Sequence, residues 1–286
     1  MGSSPGRRLR LGRIGFLNVL PIYYPLECGI LPHPFEIISG TPAYLNGLMA
    51  EGKLDLSVVS SIEYARHPGR YYILPNLSIS CRGPVKSVLL MSRVPVRELS
   101  GQTILVSAQS HTSVALLRIL FDFSLGVRAN FDVGDCTEAL SQNRYPTAFL
   151  AIGDEALVLR NHSLYPHVLD LGEAWHSWTG IPFVFAVWII QREAVEGGNG
   201  ELGPALETLS RAKKWGRDHL DPVCREASLR GVLSRHGLHD YYRCLRYELG
   251  DEEVRGLRLF FQFLVKMGEI GEEPPVDIFP APAGVV

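Results

Sequence analysis

The first third of the chain alternates between strand-like and helix-like segments. Residues 35–39 show the two-residue alternation of a strand, and residues 54–59 form a second apolar run of strand length. Between them, Thr41 followed by Pro42 predicts a helix start, because the threonine side chain caps a helix and proline needs no backbone donor there. A strand–helix–strand order predicts parallel pairing with right-handed crossovers. The sequence therefore favours an α/β fold.

Further segments have the lengths and patterns of strands and helices. Buried strands are predicted to start at Ile14 and to lie at residues 87–91, 103–107, 148–152 and 183–190. Helices are predicted at residues 23–29 and 114–125, and from Leu202 and Asp251 onward. Residues 175–182 are rich in aromatic and turn residues and are predicted to form a loop.

Length and composition are those of an ordinary globular protein with room for two domains. The chain has 286 residues, of which 46% are hydrophobic and 20% charged, and its net charge of −2 argues against a nucleic-acid surface. The five cysteines are scattered, which argues against a disulfide framework and a thiolate metal site. No apolar run reaches the length of a membrane span and no signal-peptide pattern follows the basic start. We therefore expect a cytoplasmic protein with reduced thiols.

Polar side chains follow two of the predicted strands. Asn18 comes shortly before Pro21, which cannot continue a central strand, so the opening strand is predicted to end by presenting Asn18 at its carboxyl edge. Ser60 follows the strand at residues 54–59 in the same way. Ligands bind at this edge of open α/β sheets, and a carboxamide both donates and accepts hydrogen bonds. The alternative is that Asn18 only satisfies the backbone of its own turn.

A hydroxyl-rich segment precedes the apolar helix predicted at residues 114–125. It contains Thr112 and Ser113, and a helix start with free backbone amides is a ready site for an anion. The alternative is that one of these hydroxyls merely caps the helix. His111 lies beside them and could pair with a carboxylate or act as an acid or base near neutral pH. A solvent-facing loop histidine is the other interpretation.

Several standard motifs of catalysis and cofactor binding are missing from the sequence. There is no G-x-x-x-x-G-K-[ST] phosphate loop, no H-E-x-x-H zinc motif and no G-x-S-x-G nucleophile elbow. Taken alone, the residues indicate no particular metal or cofactor.

Five stretches give the chain a family resemblance from about Arg10 to its final helix. They are residues 15–21 (Gly-Phe-Leu-Asn-Val-Leu-Pro), 83–87 (Gly-Pro-Val-Lys-Ser), 110–114 (Ser-His-Thr-Ser-Val), 152–154 (Ile-Gly-Asp) and the aromatic-rich stretch 171–188. The last is the most specific, because it is long and carries Trp175, Trp178 and Trp188. In order and in kind, these stretches resemble the chorismate dehydratases of the futalosine route to menaquinone.

The resemblance implies a two-lobe α/β fold of the type-2 periplasmic-binding-protein kind, with mixed sheets and a ligand cleft between the lobes. Two extended crossings join such lobes, and the apolar runs at residues 87–91 and 183–190 are the expected crossing strands. Lobe one is then expected at residues 1–92 plus 186–286, and lobe two at residues 93–185.

The resemblance also implies a reaction, the removal of water from chorismate to give 3-[(1-carboxyvinyl)oxy]benzoate. The ring loses its hydroxyl and a ring proton and becomes aromatic, and no metal or organic cofactor is needed. The motifs offer amide and hydroxyl groups but no obvious carboxylate base. We therefore expect a carboxylate of the substrate itself to accept the proton.

The motif residues and the polar strand ends are expected to face one cleft. Asn18 and Ser87 are the expected catalytic residues. The expected substrate-binding residues are Ser60, His111, Thr112, Ser113, Gly153, Asp154 and Thr179. The resemblance itself gives no role to His111, and Asp154 could instead cap the helix that follows it. The expected partner is the small-molecule substrate, with no nucleic acid and no membrane, while the oligomeric state stays open and includes a homodimer.

Three alternative functions remain at this point. The nearest is the sister enzyme of the same pathway, which makes 1,4-dihydroxy-6-naphthoate on a related fold, although its motifs match less well at residues 178–188. A non-catalytic solute receptor would need an export signal or a lipid anchor. The effector-binding half of a transcription regulator would need a helix-turn-helix segment ahead of the lobes.

Overall fold

Two five-stranded mixed sheets form the framework of the protein. The computed structural model describes residues 8–108, 111–196 and 202–280. The strands of these residues are β1 (Leu9–Ile14), β2 (Phe35–Gly40), β3 (Leu56–Ser60), β4 (Tyr71–Cys81), β5 (Val88–Ser92), β6 (Thr103–Val106), β7 (Asn130–Val133), β8 (Ala148–Ile152), β9 (His167–Asp170) and β10 (Phe183–Gln191). Their α-helices are α1 (Leu20–Glu27), α2 (Pro42–Ala50), α3 (Ser61–Arg66), α4 (His111–Leu120), α5 (Cys136–Ser141), α6 (Gly153–Leu159), α7 (Leu171–Thr179), α8 (Arg192–Glu196), α9 (Leu202–Asp218), α10 (Leu220–Ser228), α11 (Arg235–Tyr242) and α12 (Asp251–Lys266).

The first sheet has the strand order β2-β1-β3-β10-β4. Strand β1 pairs in parallel with both β2 and β3, so that Leu11 lies opposite Ile37 on one side and Leu56 on the other. This confirms the parallel pairing predicted from the strand–helix–strand pattern. Strand β10 runs antiparallel to β3 and β4 and is buried along its whole length, as its continuous apolar sequence predicts.

The second sheet has the order β7-β6-β8-β5-β9. Strand β6 is parallel to β7 and β8, whereas β5 is antiparallel to β8 and β9. Both sheets are thus mixed, and the predicted α/β architecture with two mixed sheets is confirmed. We use "lobe one" for the first sheet and the described chain around it (residues 8–81, 183–196 and 202–280) and "lobe two" for the second (residues 88–108 and 111–179).

The strands divide between the sheets differently from the expected lobe bounds of 1–92 plus 186–286 and 93–185. Residues 88–92 form β5 of the second sheet, and residues 183–185 begin β10 of the first. The expected crossing strands are therefore ordinary sheet strands, and the chain passes between the sheets within residues 82–87 and 180–182.

A carboxylate fixes the first of these two crossings. The side chain of Asp170 accepts hydrogen bonds from the backbone N–H groups of Val85 (3.1 Å) and Lys86 (2.7 Å). It also caps α7 by accepting from the N–H groups of Gly172 and Glu173. Burial raises the pKa of Asp170, while these four donors oppose that change by stabilising the ionised form. One side chain therefore ties the crossing to the start of α7.

The opening strand ends earlier than predicted. Strand β1 stops at Ile14, and residues Leu17–Val19 form a single 3-10 turn that leads into α1. Pro21 lies in the first turn of α1, where the missing N–H costs nothing. The proline therefore marks a helix start rather than a strand end, and Asn18 lies on the turn between the two elements.

The loop predicted at residues 175–182 is also wrong. Residues Leu171–Thr179 form helix α7, which begins at the Asp170 cap and ends at Gly180 with a left-handed φ of 74°. The aromatic residues that suggested a loop instead pack the helix onto its surroundings, since the Trp175 ring lies 5.1 Å from that of Phe183.

Two other helix boundaries agree with the sequence. The Thr41 hydroxyl accepts a hydrogen bond from the N–H of Tyr44 (3.3 Å) and so caps α2 as predicted. Helix α4 continues through a π-helical turn at Phe121–Leu125 and ends at Gly126, whose φ is 64°. The helix expected at residues 114–125 is thus present and starts at His111 among the described residues.

The buried core runs through both lobes. The largest apolar cluster includes Leu11 and Ile189 of the first sheet together with Leu90 and Leu150 of the second. Contacts between α3 and α4 add to this continuity. In the ranges that the structure describes, no helix is both long and apolar enough to cross a membrane.

Candidate active site

A cavity with about 980 Å³ of empty space, the solvent at its opening included, lies between the two sheets. Its apolar walls come from lobe one, through residues such as Ile14 and Phe185, and from lobe two, through Val88 and Ile152. The elements that bring polar groups to it are the turn after β1, helix α2, the end of β3, the residue before β5 and the start of α4. A concave, largely apolar cavity with a few converging polar groups is the usual form of a small-molecule site.

The polar lining consists of amides, hydroxyls and one imidazole. Among the described residues, the polar side chains that line the cavity are those of Asn18, Asn46, Ser60, Ser87, His111, Thr112 and Ser113. The same lining contains no Asp, Glu, Lys or Arg. The cavity can therefore orient a polar ligand by hydrogen bonds, but its described walls supply no carboxylate base.

Two tyrosine hydroxyls bind the backbone carbonyl groups of Leu17 and Asn18. The Tyr247 hydroxyl donates to the carbonyl oxygen of Asn18 (2.7 Å), and the Tyr242 hydroxyl donates to that of Leu17 (3.1 Å). Burial raises the pKa of both tyrosines, so both remain protonated donors. The 3-10 turn that carries Asn18 is therefore fixed from lobe one.

The side-chain oxygen of Asn18 has no hydrogen-bond partner among the described residues, although it is fully buried. A buried polar atom without a partner costs about 1–3 kcal/mol. Because Asn18 lines the cavity, a hydroxyl or other donor of a bound ligand can supply the missing bond. This unsatisfied oxygen distinguishes Asn18 from the other polar side chains of the described lining.

Ser87 lies at the entry to β5 and is also part of a buried network. Its Oγ accepts a hydrogen bond from the Tyr241 hydroxyl (3.1 Å) and donates a long one to the carbonyl of Val85 (3.4 Å). Burial raises the pKa of Tyr241, which keeps that hydroxyl protonated and able to donate. The Ser87 oxygen is thus held at the cavity wall with its proton in a weak bond that a ligand can replace.

The predicted anion site at the start of α4 has both of its hydroxyls at the cavity. Thr112 Oγ1 accepts a hydrogen bond from the N–H of Ile62 in lobe one (3.0 Å), which leaves the hydroxyl proton available for another acceptor. Ser113 is buried and lines the cavity beside it. Gln109 and Ser110, the earlier part of the predicted segment, lie outside the described residues.

Ser60 and His111 lie at the edges of the cavity. Ser60 ends β3 and makes no side-chain cap to α3, so its hydroxyl remains available on the cavity side. His111 is exposed, and its Nδ1 lies 3.3 Å from Nη1 of Arg66. The sequence predicted His111 to be either a site residue or a solvent-facing one. In the structure its side chain both lines the cavity and is exposed to solvent.

Gly153 allows the two lobes to approach closely. Its backbone has a φ of 57°, and its N–H donates to the carbonyl of Ser87 (2.7 Å). A Cβ at this position would lie 2.9 Å from the Phe16 ring in lobe one. Both the backbone conformation and the available space therefore require glycine here.

We expect Gly153→Ala to lose both stability and activity. The left-handed backbone costs a residue with a Cβ about 1–2 kcal/mol, and the Phe16 ring must also move within the cavity wall. Gly126→Ala is the matched control, because Gly126 has a similar φ of 64° but nothing within 4 Å of its added Cβ. Both variants should melt at lower temperature, and only Gly153→Ala should impair turnover. Equal turnover by the two variants would show that the Phe16 contact does not matter.

Asp154 does not line the cavity, and its carboxylate instead joins the two lobes. Its Oδ1 accepts from the N–H of Leu17 (3.0 Å), and its Oδ2 lies 3.5 Å from Nη1 of Arg230. Arg230 also donates to the carbonyl of Gly15 (2.5 Å). Burial raises the pKa of Asp154, while the Leu17 donor and Arg230 act in the opposite direction. The carboxylate thus holds the turn next to Asn18 rather than capping α6.

Thr179 is the other expected binding residue that the structure keeps away from the cavity. It is the last residue of α7, and its hydroxyl donates to the carbonyl of Trp175 (2.8 Å). The same oxygen accepts a long bond from the N–H of Ile181 (3.4 Å). In this structure Thr179 stabilises the end of a helix.

Several residues of the site were not predicted from the sequence. Asn46 lines the cavity from α2 on the same helix face as Pro42 and Ala43, and this helical spacing was a signal that could have been used. Phe16 belongs to the motif at residues 15–21 and also lines the cavity, but its apolar side chain did not indicate a binding role. Tyr241, Tyr242 and Tyr247 carry no local signal, because they act on residues far away in the sequence.

The described residues bring together no group of three or more His, Cys, Asp or Glu side chains that could hold a metal ion.

Solved structures with the same architecture include a bacterial binding protein. The chain superposes on the periplasmic aliphatic sulphonate binding protein of Escherichia coli with a TM-score of 0.66 and 14% identity, covering 96% of this chain and 93% of that one. At this identity the likeness concerns the fold alone. It confirms the periplasmic-binding-protein-like fold implied by the motifs.

Sequence comparison gives the family. A family model described as "Menaquinone biosynthesis" matches residues 9–266. A chorismate dehydratase of Thermus thermophilus is 30% identical over 89% of this chain and 94% of its own length. A 1,4-dihydroxy-6-naphtoate synthase of the same organism is 26% identical over 95% of this chain and 92% of its own length. The resemblance drawn from the motifs is thus confirmed, and this protein belongs to the menaquinone biosynthesis family.

Proposed function

We propose that this protein is a chorismate dehydratase, a hydro-lyase that converts chorismate to 3-[(1-carboxyvinyl)oxy]benzoate. The observation that carries the proposal is the 30% identity to a chorismate dehydratase over nearly the full length of both chains. The cavity supports it, because its described lining combines apolar walls with amide and hydroxyl groups that suit a small polar ligand. The free cysteines and the substrate of this reaction favour a cytoplasmic location.

In this reaction the C–H bond at the enolpyruvyl-bearing ring carbon breaks, and its electrons form the new ring double bond. The neighbouring C–O bond breaks, and the hydroxyl leaves as water once it has gained a proton. Asn18 binds the departing hydroxyl in this proposal, since its unsatisfied oxygen can accept a hydrogen bond from that hydroxyl and its amide NH₂ group can donate one as charge develops on the oxygen. Ser87 lies on the adjacent wall and can assist.

The base in this proposal is the substrate's own side-chain carboxylate. No acidic side chain occurs among the described residues of the cavity lining, and the nearby Asp154 is engaged with Leu17 and Arg230. The enolpyruvyl group is joined through its ether oxygen to the carbon that loses its proton, so its carboxylate can reach that proton without help from the protein. A chorismate analogue that lacks this carboxylate should bind but not turn over. Turnover of that analogue would require a protein base instead.

We expect Thr112 and Ser113 to bind a substrate carboxylate. The free hydroxyl proton of Thr112 and the backbone N–H groups at the start of α4 are suitable donors. Charge-assisted hydrogen bonds are worth about 1.5–3 kcal/mol each, so the Thr112→Ala, Ser113→Ala double variant should bind substrate about tenfold or more weakly. Steady-state kinetics and product titration measure this, and an unchanged KM with unchanged product affinity would reduce both residues to a structural role.

Incubation with chorismate tests the proposal against its alternatives. The purified protein should consume chorismate and produce an aromatic product without added metal or cofactor. The sister activity is the second candidate because of the 26% identity to the naphtoate synthase, and it predicts no reaction with chorismate. A binding protein without activity would show saturable binding and unchanged chorismate.

A further inference from the structure

A second groove opens next to the cavity at the contact between α3 and α4. It contains about 820 Å³ of empty space, open solvent included, and shares Ala108 and His111 with the cavity, so the two spaces adjoin. We call it the entrance groove and define it by the charged, imidazole and aromatic side chains that line it, which are Arg66, His111, Arg118, Phe131 and Glu269.

The charges of the entrance groove do not cancel. Arg66 Nη2 lies 3.7 Å from Glu269 Oε2, and Arg118 Nη1 lies 2.9 Å from Glu269 Oε1. Two guanidinium groups therefore share one carboxylate and leave an excess positive charge. The Arg118 guanidinium also lies over the Phe131 ring at 5.0 Å, which holds it at the groove wall. Both arginine side chains are partly exposed and can reach a ligand from solution.

The contact between Arg66 and His111 sets the tautomer of the imidazole. A guanidinium group only donates hydrogen bonds, so His111 Nδ1 at 3.3 Å from Arg66 must be the acceptor. The proton of the neutral ring is then on Nε2, and this N–H is a further donor where the groove meets the cavity. The boundary between the groove and the cavity therefore has the guanidinium donors of Arg66 and the Nε2–H donor of His111.

The cavity itself has no cationic side chain in its described lining. The proposed substrate carries two carboxylates, and the net charge of the protein is −2, so the overall field opposes its approach. The cations of the entrance groove adjoin the cavity and can offset that repulsion locally.

We propose that the entrance groove is an anion-binding subsite that captures a carboxylate of the substrate before it enters the cavity. This rests on the proposed function, because it takes the substrate to be a dicarboxylate. Arg66 and Arg118 provide the attraction, and Glu269 weakens it by competing for the same guanidinium groups. The subsite acts on the encounter with substrate and not on the bond-breaking step.

The charge variants of the groove are expected to shift kcat/KM in opposite directions. Arg66→Gln and Arg118→Gln should each lower kcat/KM about three- to tenfold at low ionic strength, since steering of charged ligands has effects of this order or larger. Glu269→Gln should raise it. All three differences should shrink as salt is added, because the Debye length falls from about 30 Å at 0.01 M to about 10 Å at 0.1 M.

The control is Arg97→Gln, which removes a positive charge from a highly exposed side chain outside the groove and should change none of these quantities. Melting temperatures of all variants separate electrostatics from folding. If the Arg66–Glu269–Arg118 cluster only holds the lobes together, Glu269→Gln will lower kcat/KM along with the arginine variants. That outcome, or equal kcat/KM for all variants at low salt, overturns the proposal.

The failure of the proposed function would be visible separately, as a wild-type protein that does not turn over chorismate. The groove is then tested by calorimetric titration with benzene-1,3-dicarboxylate in 0.01 M salt. Affinity should fall in Arg66→Gln and Arg118→Gln and rise in Glu269→Gln. Undetectable binding to the wild-type protein, or the same affinity in all variants, would overturn the subsite in that case.

Discussion

Asn18→Asp is expected to lose most of kcat while keeping the fold. Aspartate has the same size, but when ionised it replaces both amide donors with an acceptor and adds negative charge beside a dianionic substrate. Loss of one donor to a developing negative charge typically costs about 3–4 kcal/mol in the transition state, so we expect a loss of about 100- to 1000-fold. The backbone of the turn should persist, because Tyr242 and Tyr247 bind its carbonyl groups and not the side chain.

Melting temperature and kcat measured on one preparation decide this prediction. Asn130→Asp makes the same chemical change at an exposed position of β7 and is the control for added charge. If Asn18 only supports its own turn, Asn18→Asp will melt earlier and turn over normally once folded. A well-folded Asn18→Asp protein with nearly normal kcat would remove Asn18 from the catalytic site.

Asp154→Ala should give the second largest loss, although Asp154 lies outside the cavity. The substitution leaves the N–H of Leu17 without its acceptor and Arg230 without its ion pair. An unpaired buried donor costs about 1–3 kcal/mol, and the turn that carries Asn18 loses the hydrogen bond that this side chain makes to it from α6. We therefore expect a lower melting temperature together with at least a tenfold loss of kcat, since small displacements of a positioning group are costly.

Two further variants separate the roles of the Asp154 bonds. Asp154→Asn keeps an oxygen that can accept from Leu17, so it should retain more activity than Asp154→Ala. Arg230→Gln removes the ion pair but leaves the Leu17 bond intact, and it should behave like Asp154→Asn. If all three variants lose stability equally and keep kcat, the carboxylate only stabilises the fold.

Local patterns were sufficient for the elements that are bounded by their own residues. The Thr41 cap starts α2, Gly126 ends the helix that begins as α4, and the apolar sequence of β10 reflects burial on both faces. In each case the residues that predict the element are the same residues that form or end it. The fold type came from the motifs, because patterning alone gives strands and helices but not their order in a sheet.

The errors arise where distant contacts decide the structure. Helix α7 was missed because its aromatic residues resemble a loop, whereas Trp175 is buried against Phe183. The contact that fixes the first crossing was also not predicted, because Asp170 lies far along the sequence from residues 85 and 86, whose N–H groups it binds. The pattern of neighbouring residues does not indicate such distant partners.

The same distinction applies to the site. Asn18 and Ser60 could be proposed from their places after strands, and Thr112 and Ser113 from theirs before a helix, whereas the Asn46 amide was missed. The tyrosines that hold them could not, because Tyr247 reaches Asn18 across 229 residues and Tyr241 reaches Ser87 across 154. Asp154 was identified as a site residue by its motif, but only the structure shows that its contact is the backbone of Leu17.

Proton NMR of the product from a complete incubation with chorismate tests the central claim most directly. The removal of water should give the signals of a 1,3-disubstituted benzene ring, retain the two vinyl protons of the enolpyruvyl group, and lower the mass by one water. Wild-type protein and the Asn130→Asp control should both form this product, and Asn18→Asp should form it far more slowly. Unchanged chorismate, or an aromatic product that has lost the enolpyruvyl group, would contradict the assignment of this cavity to chorismate dehydration.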